Sequence, residues 1–219
     1  MGRIVLAIFG LAVAFYLAVV LCVVALRWIN PPTTTVQIQR RLEAMRAHRA
    51  YAKQYEFVPL SRISRNLQHA VISAEDGRFF THHGFDWVEI NKVLQDDLQH
   101  DRLGRGGSTI TQQLVKNLFL TTDRSLIRKG LESAIVTPVE WLLTKDRILE
   151  LYLNVIEWGP GIYGAQAASE YYYHVPASAI KRDQAARLAA IIPSPLKRKP
   201  AQMNKYSDEI LNRMAQTGW

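Results

Sequence analysis

Ala74-Glu75-Asp76-Gly77-Arg78-Phe79-Phe80-Thr81-His82-His83-Gly84-Phe85-Asp86 marks the point where an apolar helical pattern gives way to polar chemistry. On its N-terminal side, Asn66 to Asp76 places Leu67, Ala70, Val71 and Ala74 on one face, the spacing of an amphipathic helix. On its C-terminal side, Trp87 to Leu98 repeats the pattern with Ile90, Val93, Leu94 and Leu98. His100 to Gly107 is polar and Gly-rich, a mobile-loop composition. The next helix opens at Ser108 and Thr109, and Thr109 with Gln112 has the spacing of a capping box. Ser125 is placed to cap a further helix that Pro138 should interrupt or kink. Thr144 opens Lys145 to Asn154, with Ile148, Leu149 and Tyr152 inward. Gly159, Pro160, Gly161 and Gly164 predict a tight turn before an Ala-rich helix ending in Tyr171-Tyr172-Tyr173. A second Ala-rich helix spans Asp183 to Ile192 and stops at Pro193-Ser194-Pro195, and Ser207 is expected to cap the last helix. Strand signals are few and internal repeats absent, so the expected class is mainly α.

The N-terminus has a different character. Ile4 to Leu26 is an apolar run without charge or proline. That is long enough to cross a bilayer core of about 30 Å. A cleavable signal would have a shorter core and a small-x-small site. Val24-Ala25-Leu26-Arg27-Trp28 lacks one, so a retained anchor is expected. The flanking charges do not settle its orientation. The expected layout is a short N-terminus at 1–3, a membrane helix at 4–26, a juxtamembrane linker and basic helix at 27–58, and a catalytic domain at 59–219. Asn30-Pro31-Pro32 breaks the membrane helix, and Val36 to Gln54 reads as a basic helix, lying on a membrane surface or simply solvated. The single cysteine, Cys22, falls inside the apolar run, which excludes disulfides and cysteine-bound metal from the rest. The formal net charge of +8 favours anionic partners such as phospholipid headgroups and pyrophosphates. Nucleic acid is the weaker option, because no zinc pattern, helix-turn-helix or aromatic-basic repeat is present.

Three blocks carry candidate chemistry. Glu75 closes an apolar helix, and half-burial among Phe79, Phe80 and Trp87 would raise its pKa toward that of a general base. Taken alone, Glu75 and Asp76 read as a surface pair at a helix end. His82 and His83 lack metal-binding spacing, and His82 reads best as a structural histidine bonded to backbone. The second block, Gly106-Gly107-Ser108-Thr109-Ile110-Thr111-Gln112-Gln113-Leu114-Val115-Lys116-Asn117, lines up Thr109, Gln112 or Gln113, and Lys116 near a helix N-terminus, a face suited to phosphate. The third, Arg128-Lys129-Gly130-Leu131-Glu132, pairs Arg128 with Glu132 at i,i+4, an ordinary surface pair taken alone. Lys116, Arg128 and Lys129 together could hold a pyrophosphate. Glu132 could order those cations, ligate Mg²⁺, or serve as a second carboxylate.

Taken in order, the blocks resemble the family 51 glycosyltransferases that polymerise peptidoglycan, which include the N-terminal domains of class A penicillin-binding proteins. The resemblance covers roughly Asn66 to Arg198. It rests on Glu-Asp-x-x-Phe-x-x-His-x-Gly from Glu75, Gly-x-Ser-Thr-x-Thr-Gln-Gln from Gly106, Lys116-Asn117, and Arg-Lys-x-x-Glu from Arg128. Arg147 to Asn154 and Gly159 to Tyr172 look like two further blocks. No transpeptidase domain follows, so a stand-alone member is expected.

The resemblance implies a lysozyme-like, two-lobed, mainly α domain behind one transmembrane helix, single-pass in the bacterial inner membrane, with the catalytic domain periplasmic. It implies lipid II as substrate and a nascent glycan chain on undecaprenyl pyrophosphate as donor. Cell-wall synthesis proteins are expected partners, nucleic acid is not, and the only cofactor expected is a divalent cation, Mg²⁺ or Mn²⁺, with Glu132 as its possible ligand. It makes Glu75 and Glu132 the catalytic pair, Glu75 as general base. Asp76, Phe79, His82, Gly106, Ser108, Thr109, Thr111, Gln112, Gln113, Lys116, Asn117, Arg128 and Lys129 become the substrate-binding set, with Lys116 and Arg128 on the pyrophosphate. Some positions depart from the pattern: Val175 where Lys is common, Tyr173 and His174 as a slight variation, and Lys181 and Gln184 where Thr and Glu usually form a capping box, which is therefore expected to be lost.

Overall fold

The computed structural model describes residues 2–100, 107–123 and 125–219. Helices dominate: α1 (Gly2–Ala25), α2 (Thr35–Arg46), α3 (Arg65–Glu75), α4 (Trp87–His100), α5 (Ile110–Phe119), α6 (Leu126–Leu142), α7 (Lys145–Val155), α8 (Ala165–Tyr173), α9 (Arg182–Ile191) and α10 (Asn204–Gln216). One small sheet adds β1 (Gln54–Tyr55), β2 (Glu157–Gly159) and β3 (Ile162–Tyr163) in the order β1-β3-β2, with β1 parallel and β2 antiparallel to β3. The Pro160-Gly161 turn joins β2 to β3. The weak strand signals thus hid a sheet whose strands are too short to show an alternating pattern.

Two helical groups make up the body. In one, α3, α9 and α10 pack on one another. In the other, α5 packs against α6 and α7, with α2 lying on α5 and α1 on α6. Their apolar faces merge into one core holding Leu67, Phe79, Leu114, Leu151, Tyr152 and Trp158, all fully buried. Each such side chain stabilises by about 1.5–3 kcal/mol relative to exposure.

Local signals explain most helix ends. Ser64, Ser125 and Thr144 cap α3, α6 and α7 with their hydroxyls, each accepting from the amide three residues on. α6 continues through Pro138 to Leu142 rather than ending there. Ser207 does not cap α10. The helix starts three residues earlier, and the buried Ser207 hydroxyl donates to the Asn204 carbonyl. The α9 capping box survives by half: the Gln184 side-chain oxygen accepts from the Lys181 amide, while Lys181 has no acceptor to return the bond. The side chains of Leu94 and Leu98 and residues 101–106 of the expected loop fall outside the described residues, while His100 ends α4.

The basic stretch after the linker forms a shorter helix than expected, and it belongs to the folded body. Val36, Gln37 and Ala44 of α2 are buried. The Thr35 hydroxyl donates to the Leu118 carbonyl at 2.8 Å, and Arg40 pairs with buried Glu157 of β2 at 3.0 Å. α1 is the one helix among the described residues long and apolar enough to cross a membrane. Most of it is exposed, but Val19 and Val23, with Leu26 just beyond its end, are buried in the shared core. Tyr16 donates its hydroxyl to the Ala134 carbonyl of α6. On α6 itself, Leu126, Ile127 and Trp141 stand exposed, Trp141 at 82%.

Candidate active site

Glu75 is the last residue of α3, and α5 carries the groups that face it. The Gln113 side-chain amide donates to Glu75 Oε2 at 2.7 Å. Gln113 is held in turn by Tyr152 of α7, whose hydroxyl donates to Gln113 Oε1 at 2.8 Å. That second bond fixes which end of the amide points at the carboxylate. Burial raises the Glu75 pKa above 4.5, and the Asp76 charge adds to it. The Gln113 bond and the charges of Lys116 and Arg198 pull the other way. Of the three expected aromatics, Phe79 is in the core, while Phe80 and Trp87 are exposed.

The junction that sets this geometry is Asp76. Its Oδ1 lies 2.8 Å from His82 Nε2, and its Oδ2 accepts the Ile110 amide, the first of α5, at 3.0 Å. A carboxylate at a helix N-terminus also meets the positive end of the helix dipole. Asp76 therefore ties the end of α3 to the start of α5 and brings Glu75 opposite Gln113. His82 has a side-chain partner here, not the backbone partner expected. Thr109 completes the joint: its hydroxyl donates to the Gly84 carbonyl at 2.7 Å and accepts the Gln112 amide, and Gln112 Oε1 accepts the Thr109 amide. The capping box is present in full, worth about 1 kcal/mol. Gly84 holds φ +85°, and a Cβ there would meet Val136 Cγ1 of α6 at 2.4 Å, so the loop can approach α6 only as glycine.

Asp76, His82 and Asp86 are the one group of three His or carboxylate residues close enough to share an ion among the described residues. Their oxygens are already engaged. Asp76 has the partners just given, and Asp86 accepts the Val88 and Glu89 amides and pairs with Arg78 at 3.2 Å.

A second centre sits on α6. Glu132, 2% exposed, pairs with Arg128 Nη1 at 2.6 Å and with Lys129 Nζ at 2.5 Å. Lys129 also donates to the Ser108 hydroxyl at 3.3 Å, joining the second and third sequence blocks. Between the carboxylates lies Lys116. Burial lowers its pKa, and the charges of Glu132 and Glu75 raise it while Arg128 and Lys129 lower it. No carboxylate lies within ion-pair distance of its ammonium among the described residues, which leaves that cation available to an anion. Both Glu132 oxygens are taken by cations, and three positive groups surround it. That environment does not fit a divalent cation held by Glu132.

The sequence-predicted set thus divides. Glu75, Gln113, Lys116, Arg128, Lys129, Glu132 and Ser108 come together. Asp76, His82, Thr109 and Gln112 build the joint behind them. Asn117 is buried and donates to the Gln113 carbonyl. Thr111 and Phe79 face elsewhere: Thr111 donates to Glu140, Glu140 pairs with Lys145, and Lys145 lies over the Phe79 ring. Gly106 falls outside the described residues. Tyr152 and Arg198 are the additions. Tyr152 was visible only as an inward helix position, and nothing local marked Arg198. Beside Glu75 opens a cleft of about 880 Å³ between α3, α4 and α10.

A mainly α domain that holds one desolvated carboxylate beside a cationic cluster defines a class suited to transferring a group away from an anionic leaving group. Comparison with known proteins agrees. Residues 41–217 match the transglycosylase family model, and the chain belongs to that family. It is 51% identical to the biosynthetic peptidoglycan transglycosylase of Thiobacillus denitrificans over 77% of this chain and 73% of the relative. The protein of the same name from Azoarcus sp. is 42% identical over 98% of this chain and 94% of the relative.

Proposed function

We propose that this chain is a peptidoglycan glycosyltransferase that polymerises lipid II into β-1,4 glycan strands and releases undecaprenyl pyrophosphate. The observation that carries this reading is the pairing of a proton-accepting Glu75 with the Lys116, Arg128 and Lys129 cluster in one site. A hydrolase acting on finished glycan has no pyrophosphate to neutralise. Family membership and the names of the relatives support the same activity.

In this reading Glu75, ionised, takes the proton from the acceptor 4-hydroxyl. That oxygen attacks the anomeric carbon of the donor from the side opposite the pyrophosphate, so the α linkage becomes β. Gln113, locked by Tyr152, aims the Glu75 carboxylate. Lys116 and Arg128 neutralise the charge growing on the departing pyrophosphate, with Lys129 beside them. Glu132 acts by holding Arg128 and Lys129 in place, and we assign it no metal.

The same proposal places α1 across the inner membrane, with the body on the periplasmic side. The apolar surface of α1, its packing on α6, and the exposed Leu126, Ile127 and Trp141 of α6 support a site held at a bilayer surface. A substrate carried on a lipid would meet the α6 cations there.

The test is the full chain in detergent or vesicles with lipid II. Glycan polymer is the expected product. Degradation of purified sacculi with no polymer formed would overturn the reading.

A further inference from the structure

We propose that the cleft between α4 and α10 binds the peptide carried by the acceptor sugar, with Lys92 and Arg213 holding its carboxylates and Glu89 and Glu209 facing its amino group. The proposal rests on the polymerase reading and assigns a substrate portion that the catalytic residues leave without a site. The cleft begins at Glu75 and Asp76, touches Ser108, and extends along α4 and α10, while Lys116, Arg128, Lys129 and Glu132 form no part of its wall. An acceptor whose hydroxyl lies at Glu75 must extend along it. At about 880 Å³ it lies near the top of the range for ligand sites, about 300–1,000 Å³, more than a sugar ring needs.

The lining chemistry narrows the ligand. Glu89 and Lys92 lie three apart on α4, and Glu209 and Arg213 lie four apart on α10. Elsewhere, similarly spaced charges close on each other: Arg40 with Glu43, Arg128 with Glu132, Asp183 with Arg187. These four of the cleft's charged residues do not, although both signs share one wall; none of the four has an ion-pair partner among the described residues. Unpaired charges of both signs suit a ligand that carries both. A glycan offers only hydroxyls and amides, whereas a short peptide offers carboxylates and an amine. Tyr206, half-buried on the same face of α10, supplies a ring against the peptide backbone.

The test compares wild type with the Lys92→Ala/Arg213→Ala double variant on two lipid-linked disaccharides, one with the full peptide and one trimmed to its first residue. Both positions are exposed, so folding is not at stake. Wild type should show a KM about tenfold lower for the full-peptide substrate, the scale of two exposed charge contacts. In the double variant that preference should collapse, so that the two substrates converge. A variant that keeps the wild-type preference, or a wild type without one, overturns the cleft assignment. A wild type that makes no polymer from either substrate overturns the polymerase reading, and the cleft assignment falls with it.

Discussion

Glu75 and Glu132 are both carboxylates near cations, yet they live in opposite environments. Among the described residues Glu75 has one neutral donor, Gln113, and its cations act only at a distance. Glu132 has two cations in direct contact. A base must be able to take a proton, which requires a raised pKa and an open lone pair. A counter-ion must do neither. The difference teaches that the site separates its proton chemistry on α3 from its charge neutralisation on α6, with Lys116 of α5 standing between.

The largest effect should follow removal of the base. Glu75→Gln keeps the shape and the Gln113 contact but cannot accept a proton, so polymerisation should fall at least 10²-fold in a lipid II assay. A near-normal rate would dissolve the comparison. In wild type the rate should fall as pH drops through the raised Glu75 pKa, so the acidic limb lies above the ordinary carboxylate value of 4.5. Lys116→Ala should come next. It removes the cation of the cluster that has no carboxylate within ion-pair distance among the described residues, and a titration with undecaprenyl pyrophosphate should show affinity weaker by roughly tenfold or more, the scale of a hydrogen bond to a charged group. Unchanged affinity would make Lys116 a bystander.

Stability sharpens the contrast. A carboxylate whose folded pKa is raised stabilises most below its unfolded pKa, and that stability is lost as pH rises through the folded pKa. At neutral pH Glu75 is therefore a cost, and Glu75→Gln should raise Tm. Glu132→Gln does the reverse, since it removes the carboxylate that Arg128 and Lys129 share; as water reaches both cations, about 2 kcal/mol is expected. At about 2–4 °C per kcal/mol for a chain of this size, Tm should drop by several degrees. Activity should fall about tenfold, because the cations remain but lose their anchor. Equal Tm shifts in the two variants would show that their environments do not differ.

How much of this was legible beforehand depended on whether the signal was local. The helix starts at Ser64, Ser125 and Thr144 and the Thr109–Gln112 box were readable because a cap and its target lie three residues apart. The joint at Asp76 was not, since Asp76 binds Ile110 across 34 residues of sequence and no spacing rule links them. The motifs named candidate positions without separating their jobs. Thr111 and Thr109 are both hydroxyls in one block, yet one faces Glu140 and the other caps α5, because Thr109 is the extended residue before the helix and Thr111 lies in its first turn. The membrane run was plain in composition, but burial of Val19 and Val23 against the body could not be read from an apolar stretch that is uniform all round.

The smallest effect tests the support behind Glu75. Tyr152→Phe removes one hydroxyl, fully buried, and leaves the ring in the core. It should cost about 1 kcal/mol of stability, the usual net worth of a hydrogen bond. Gln113 then loses the contact that fixes its amide, so its bond to Glu75 weakens. That bond lowers the Glu75 pKa, so weakening it should move the acidic limb of the rate profile to higher pH. With substrate saturating at high pH, where Glu75 is ionised in both proteins, the rates should nearly meet. A variant slowed equally at every pH would mean that Tyr152 serves the core alone, and that Gln113 holds its orientation without it.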